Sequence, residues 1–270
     1  MTEGDRSAAE RITERAFASR RLAGKVALVT GSTRGLGRTI AEWLARDGAS
    51  IVVSGREEAA VDASVRAMRG FDVEAWGIVA DLARVEEAHR LAESTLERAP
   101  RLDLLINNAG MSIRGHFWEV TDAEWEEQVT VNYRSPFILA QHAARRMIAD
   151  GVAGRIVNIG TIGAHAVHTN GAVYDSAKGA VETMTKNMAY ELGQYGITVN
   201  CVIPGAIAER PGAPRESAGW ARVRSQIPLG RLGRAEDIAA AVRFFCLPES
   251  EFTTGQSLLV DGGHSLYLHE

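Results

Sequence analysis

"KVALVTGSTRGLG", Lys25 to Gly37, is the stretch from which the fold can be read. It opens on an apolar run of strand length, Lys25–Thr30, turns through closely spaced glycines, and enters a helix-length segment near Leu36. The same alternation continues along the chain. Strand-length apolar runs recur at Ser50–Ser54, Val73–Val79, Leu102–Ile106, Arg155–Ile159, Ile197–Ile203 and Ser257–Val260, separated by stretches rich in Ala, Glu, Arg and Leu. Runs that are apolar throughout, rather than at every second residue, belong to strands buried on both faces. Their regular alternation with helices implies parallel pairing. No internal repeat and no Pro/Gly-rich linker divides the chain. The pattern predicts one α/β domain over residues 25–270, a doubly wound, seven-stranded parallel sheet.

The rest of the chain narrows the class. At 270 residues, 46% hydrophobic and 24% charged, it can bury a large core. A net charge of −4 argues against a nucleic-acid partner. No apolar run reaches the roughly 18 residues of a membrane helix, so no membrane partner is expected. Cys201 and Cys246 lie in apolar surroundings without metal-ligand spacing, which reads as two buried thiols in a cytoplasmic protein and no metal. Residues 1–24 are polar and charge-mixed. Glu3, Asp5, Glu10 and Glu14 are unlike a transit peptide, and no apolar core suggests a signal peptide, so this segment reads as a flexible or weakly helical extension.

In a parallel sheet of this kind, ligands bind at the carboxyl ends of the strands. After the first strand comes "TGSTRGLG", Thr30 to Gly37, with glycines at Gly31, Gly35 and Gly37. The spacing is GxxxGxG rather than the commoner GxGxxG, but the physics is shared. Glycine lets backbone approach a pyrophosphate, and the helix N-terminus offers oriented N–H groups.

"TGSTRGLG", "NNAG" (Asn107–Gly110), "YDSAK" (Tyr174–Lys178), "IPG" (Ile203–Gly205) and "TTGQSLLVDGG" (Thr253–Gly263) follow one another in the order and spacing of one family. From about Gly24 onward the chain resembles the short-chain dehydrogenase/reductases. That resemblance implies a Rossmann-type fold and hydride transfer between a nicotinamide cofactor and a carbonyl or secondary alcohol. It also implies cofactor contacts at Gly31, Ser32, Thr33, Arg34, Gly35, Leu36 and Gly37, at Arg56, at Asp81 and Leu82, and at Asn108, Ala109 and Gly110. Further contacts are implied at Tyr174, Lys178, Pro204, Gly205 and Ile207.

Tyr174 and Lys178 lie one helical turn apart and share a face. A phenol needs about 3 pKa units, roughly 4 kcal/mol, to act near neutrality. An ammonium about 5 Å away at an effective dielectric of about 20 contributes roughly 3 kcal/mol. The resemblance makes Tyr174 the acid/base and gives Lys178 the added task of holding the nicotinamide ribose. Where the family usually has serine, thirteen residues before the tyrosine, this chain has Thr161. Threonine keeps the hydroxyl donor, while its methyl group narrows the pocket. Thr169 is a second hydroxyl, in the loop. Asn132, in "VTVNYRSPF", matches the family's helix asparagine, which supports a water relay to the lysine; a helix asparagine satisfied by backbone is the alternative.

Cofactor choice turns on "VVSGRE" at the end of the second strand, where Ser54 and Gly55 stand in place of an acid and Arg56 follows. Together with Arg34 this favours the 2′-phosphate of NADP(H), with NAD(H) remaining open. Residues 206–226 are expected to form a substrate lid. They contain Glu209 where the family often has threonine, which puts one nicotinamide contact in doubt. With Arg114, His116, His165 and His168, the mouth reads as mildly cationic. A 3-oxoacyl thioester and a sugar or polyol both stay open as substrates. A cofactor-binding regulator without activity is the reading from another class. The resemblance implies a homotetramer or homodimer in which the helices starting near Asp122 and Val173 pack against their copies, and both carry more apolar surface than one buried face needs.

Overall fold

The computed structural model describes residues 20–208 and 218–266. Seven strands form one sheet: β1 Val26–Val29, β2 Ser50–Gly55, β3 Ala75–Val79, β4 Leu104–Asn107, β5 Arg155–Ile159, β6 Thr198–Pro204 and β7 Ser257–Val260. Their order is β3-β2-β1-β4-β5-β6-β7, and every neighbouring pair is parallel. The helices are α1 Gly35–Arg46, α2 Glu58–Arg69, α3 Val85–Arg98, α4 Asp122–Val129, α5 Ser135–Ala149, α6 Ala172–Leu192, α7 Ala218–Ser225 and α8 Ala235–Cys246. All seven apolar runs are strands, and the doubly wound parallel sheet is the observed fold.

Side chains alternate across the strands and sort into two cores. Ala27 and Val29 of β1, with Leu104 and Ile106 of β4, pack under α1, α2 and α8 through Ile40, Leu44, Met68 and Phe245. Val26, Leu28 and Leu105 point the other way, into a second core built by α3, α5 and α6, with Leu91, Leu139 and Met147. Each fully buried aliphatic side chain contributes about 1.5–3 kcal/mol of transfer free energy. The central strands are therefore apolar at most positions, and polar side chains buried in them are paired, as where Asn107 Nδ2 donates to Asn158 Oδ1 at 2.9 Å.

Two elements depart from the sequence reading. The extension was expected to run to residue 24, yet Leu22 is 1% exposed and belongs to the core under α1. Arg20 donates to the Asp72 carbonyl at 2.7 Å, and Arg21 pairs with Glu249. A single leucine in a polar stretch has no periodicity to announce it. Residues 1–19 lie outside the described residues. The helix beginning at Asp122 is also interrupted: a π turn at Thr130–Arg134 separates α4 from α5. Among the described residues, no helix is long and apolar enough to cross a membrane.

Candidate active site

The strand order reverses between β1 and β4, and the turns after these two strands are tied together. Thr30 Oγ1 accepts the amides of Asn108 (3.0 Å) and Ala109 (2.9 Å), while Asn108 Nδ2 donates back to the Thr30 carbonyl at 2.8 Å. The glycines make this approach feasible. Gly31 sits at φ +63°, a left-handed backbone that side chains other than glycine's strain. At Gly37 a Cβ would lie 2.3 Å from Asn108 Nδ2 and 2.4 Å from the Gly31 carbonyl, so helix and turns could not close.

The start of α1 suits an anion. Its N-cap, Arg34, makes no side-chain capping hydrogen bond, and the first turn holds no acid. The helix-start amides are left to a ligand, and the helix dipole favours a negative one. These residues fit the pyrophosphate of a dinucleotide. The Ser32 side chain has a structural task in the turn. It is fully buried, donates to the Val29 carbonyl at 2.7 Å and accepts the Ser54 amide at 3.1 Å, so its side chain pins β1 to β2. The Asn108 carboxamide is likewise engaged by backbone. Sequence spacing carries no sign of either inward turn.

At the end of β2, a Cβ on Gly55 would meet Thr33 Cγ2 at 2.5 Å, so the Thr33 side chain occupies the space where an acidic residue would begin. Arg34 and Arg56 are both exposed beside this point, and neither has an ion-pair partner among the described residues. Asp81 accepts the Ala83 amide at 3.2 Å, and Leu82 is buried, its carbonyl taken by the Ser135 hydroxyl at 2.8 Å.

Lys178 is 2% exposed, and its Nζ donates to the Ile159 carbonyl at 2.8 Å. Burial pushes its ammonium down to about 8. With three donors and one acceptor among the described residues, the ammonium has hydrogen-bonding capacity left for a ligand. Asn132 lies in the π turn, fully buried, where its amide donates to the carbonyls of Met111 (2.7 Å) and Gln128 (2.8 Å) and its oxygen accepts the Met111 amide at 3.2 Å. Gly110 separates it from the lysine: a Cβ there would sit 3.0 Å from Asn132 Oδ1 and 3.5 Å from Lys178 Nζ. The backbone thus satisfies Asn132, and its oxygen keeps capacity for a second hydrogen bond.

Thr161, two residues beyond Ile159, is 3% exposed; its Oγ1 accepts the Gly163 amide at 3.3 Å, which leaves its O–H to donate. Thr169 is exposed, and its carbonyl is held by Arg114 at 3.2 Å. Tyr174 is half-buried on the first turn of α6, one turn before Lys178. Pro204 and Gly205 close β6, where a Cβ on Gly205 would lie 2.6 Å from Asp261 Cβ; Ile207 bridges to Gly233. Glu209 and the centre of the expected lid lie outside the described residues; of the remainder, Ala218–Ser225 is the helix α7.

Two of the mouth histidines meet carboxylates. His165 pairs with Glu182 at 3.0 Å and His168 with Asp175 at 2.8 Å, carboxylates that come from α6. Beside this loop lies a cavity of about 520 Å³ whose rim carries the exposed Phe117, Trp118 and Val167. Among the described residues, no three His, Cys, Asp or Glu side chains gather as metal ligands. The two cysteines are buried and free, their thiols pushed up to about 12 by desolvation.

A parallel sheet with a glycine turn at its switch point and an uncapped helix start defines a dinucleotide-binding α/β protein. A family model described as enoyl-(acyl carrier protein) reductase matches residues 31–265. Gluconate 5-dehydrogenase of Gluconobacter oxydans is 35% identical over 254 residues, covering 92% of this chain and 97% of that one. The 3-oxoacyl-[acyl-carrier-protein] reductase of Aquifex aeolicus is 34% identical over 244 residues, covering 90% and 98%. Among solved structures, a blue fluorescent protein from a metagenomic library in complex with NADPH superposes with TM-score 0.84 at 33% identity, covering 90% of this chain and 99% of that one. The chain belongs to the short-chain dehydrogenase/reductase family and is an NAD(P)-binding oxidoreductase acting on a carbonyl/alcohol pair.

Proposed function

We propose that this single-domain chain interconverts a ketone and a secondary alcohol, with Tyr174 as acid/base, and that it favours NADP(H) over NAD(H). The observation that carries the reading is the Lys178 ammonium, buried and held by the Ile159 carbonyl one turn from Tyr174. Bound cofactor supplies or accepts the hydride. The Thr161 hydroxyl donates to the substrate oxygen, and Tyr174 gives that oxygen its proton in reduction or takes it in oxidation. Lys178 lowers the cost of the phenolate by Coulomb attraction and uses its remaining donors to hold the cofactor ribose. A water on the Gly110 side of Asn132 Oδ1 resupplies the proton. The paired exposure of Arg34 and Arg56, with Thr33 across Gly55, supports the NADP(H) preference.

Residues 206–226 act as the lid. The aromatic rim at Phe117 and Trp118 favours a substrate with an apolar arm, and so 3-oxoacyl thioester reduction over polyol oxidation. The test is a panel of 3-oxoacyl thioesters, ketones, sugars and polyols assayed with each cofactor. Thioester turnover above the rest supports the reading, and polyol oxidation alone refutes the substrate choice. Self-association is part of the proposal. The outer faces of α5 and α6 enclose a groove of about 660 Å³ lined by Phe137, Ile148, Met184 and Met188, the apolar kind of surface that a homodimer or homotetramer buries. Sedimentation at micromolar concentration should show an oligomer, and a monomer would refute it.

A further inference from the structure

The loop joining Thr161 to Tyr174 contains a contact that the reaction as written leaves unused. Asp175, whose side chain is 11% exposed, accepts two hydrogen bonds from His168. The His168 amide reaches Oδ2 at 3.0 Å and its ring Nδ1 reaches Oδ1 at 2.8 Å. The pair rests on the bare Cα of Gly163, where a Cβ would lie 2.1 Å from Asp175 Oδ1 and 2.2 Å from His168 Nδ1. Gly163 in turn gives its amide to Thr161 Oγ1 at 3.3 Å. On the other side, Asp175 is Tyr174's neighbour in the chain, and the His168 ring centroid is 6.4 Å from that of Tyr174. A closed circuit of contacts therefore runs from one reactive hydroxyl to the other.

We propose that the His168–Asp175 pair is a positioning brace that sets the distance between the Thr161 and Tyr174 hydroxyls. The proposal rests on the reading of those two groups as the partners of the substrate oxygen. A carboxylate only accepts, so the imidazole bonded to it carries its proton on Nδ1. Both oxygens of Asp175 are used, one for the loop backbone and one for the ring, so the carboxylate fixes the loop and the imidazole together. Misplacing a reacting group by about 1 Å costs about 10²-fold in rate, and this gives the brace leverage without touching substrate.

The chemistry of the pair supplies a test that a purely structural role would not pass. Asp175→Asn has the same shape but can accept at only one oxygen. It can still take the His168 amide, and its NH2 can donate to the ring if the imidazole moves its proton to Nε2. When His168 is protonated, both ring nitrogens donate, the carboxamide NH2 meets an N–H, and the brace opens. In the wild type, protonation instead brings a cation onto a carboxylate. The other groups around His168 are the Tyr174 ring, His116 and Trp118 on the cavity rim, Arg114 on the Thr169 carbonyl, and the His165–Glu182 pair. None is altered by the substitution.

The experiment measures kcat and KM for wild type, Asp175→Ala, His168→Ala and Asp175→Asn between about pH 5.5 and 8.5, with nitrogen-15 NMR of the imidazoles in the cofactor-free proteins. Asp175→Ala and His168→Ala should lose about 10- to 100-fold in kcat, with KM within about threefold. Asp175→Asn should recover most of that loss where the His168 ring is neutral and fall away from wild type as the pH drops and the ring takes up a proton. Its His168 should show the Nε2–H tautomer where wild type shows Nδ1–H. An Asp175→Ala enzyme with wild-type kcat would overturn the brace alone. If that variant does not fold, a rate ratio of Asp175→Asn to wild type that stays flat with pH would overturn it. A wild type without turnover on any substrate would overturn the reading of the site and the brace with it.

Discussion

Replacing Lys178 with methionine should make the cofactor-free protein more stable while destroying its activity. Burial lowers the lysine from its ordinary 10.5 to about 8. At about 1.4 kcal/mol per pKa unit, keeping the ammonium charged in the core costs about 3 kcal/mol. Methionine fills a similar volume without that cost and gives up the charged hydrogen bond to the buried Ile159 carbonyl, worth about 2 kcal/mol. The net gain is about 1 kcal/mol, or roughly 2–4 °C in a domain of this size. The pH dependence carries the sign. The unfolded lysine holds its proton up to pH 10.5, the folded one up to about 8, so between these values the unfolded state binds more protons and wild-type stability rises with pH. The advantage of the variant should be full below about pH 8 and gone by about pH 10.5. Denaturant unfolding near pH 7 and near pH 10, without cofactor, measures it. A variant less stable than wild type near pH 7, or a gap that does not change with pH, would refute the reasoning.

Thr161→Val keeps the shape but removes the donor to the developing alkoxide, and should lower kcat about 10²-fold, whereas Thr161→Ser stays active. Thr169→Val should match wild type, because that side chain is exposed in the loop and it is the carbonyl that holds Arg114. A crippled Thr169→Val would reverse the assignment of the two hydroxyls. Replacing Arg34 and Arg56 together by Ser should raise KM for NADP(H) at least about tenfold and leave that for NAD(H) nearly unchanged, read from initial rates with each cofactor; charge-assisted bonds of about 1.5–3 kcal/mol are lost only with the phosphate.

The strands were legible because parallel strands covered on both faces are apolar along most of their length, as most of these runs are. Ser32 and Asn108 were harder. Their place in the motif marks the turn, yet their side chains face inward to tie β1 to its neighbours. The π turn around Asn132 was hidden because one extra residue per turn leaves the helical pattern on either side intact. His168 and Asp175 are seven residues apart across an irregular loop, a separation no helical or strand period singles out. The partners of the two mouth histidines were hidden for a related reason. The acids that pair with His165 and His168 come from α6, and a count of charges within the loop does not include them.

The central claim is that the Tyr174 hydroxyl moves the proton at the substrate oxygen. Tyr174→Phe removes that hydroxyl alone, and the measurement is its kcat, followed by absorbance of the reduced nicotinamide, beside its affinity for cofactor. The account predicts cofactor affinity near wild type and a kcat lower by about 10²–10⁴-fold. A variant that retains more than about a tenth of wild-type kcat would contradict it.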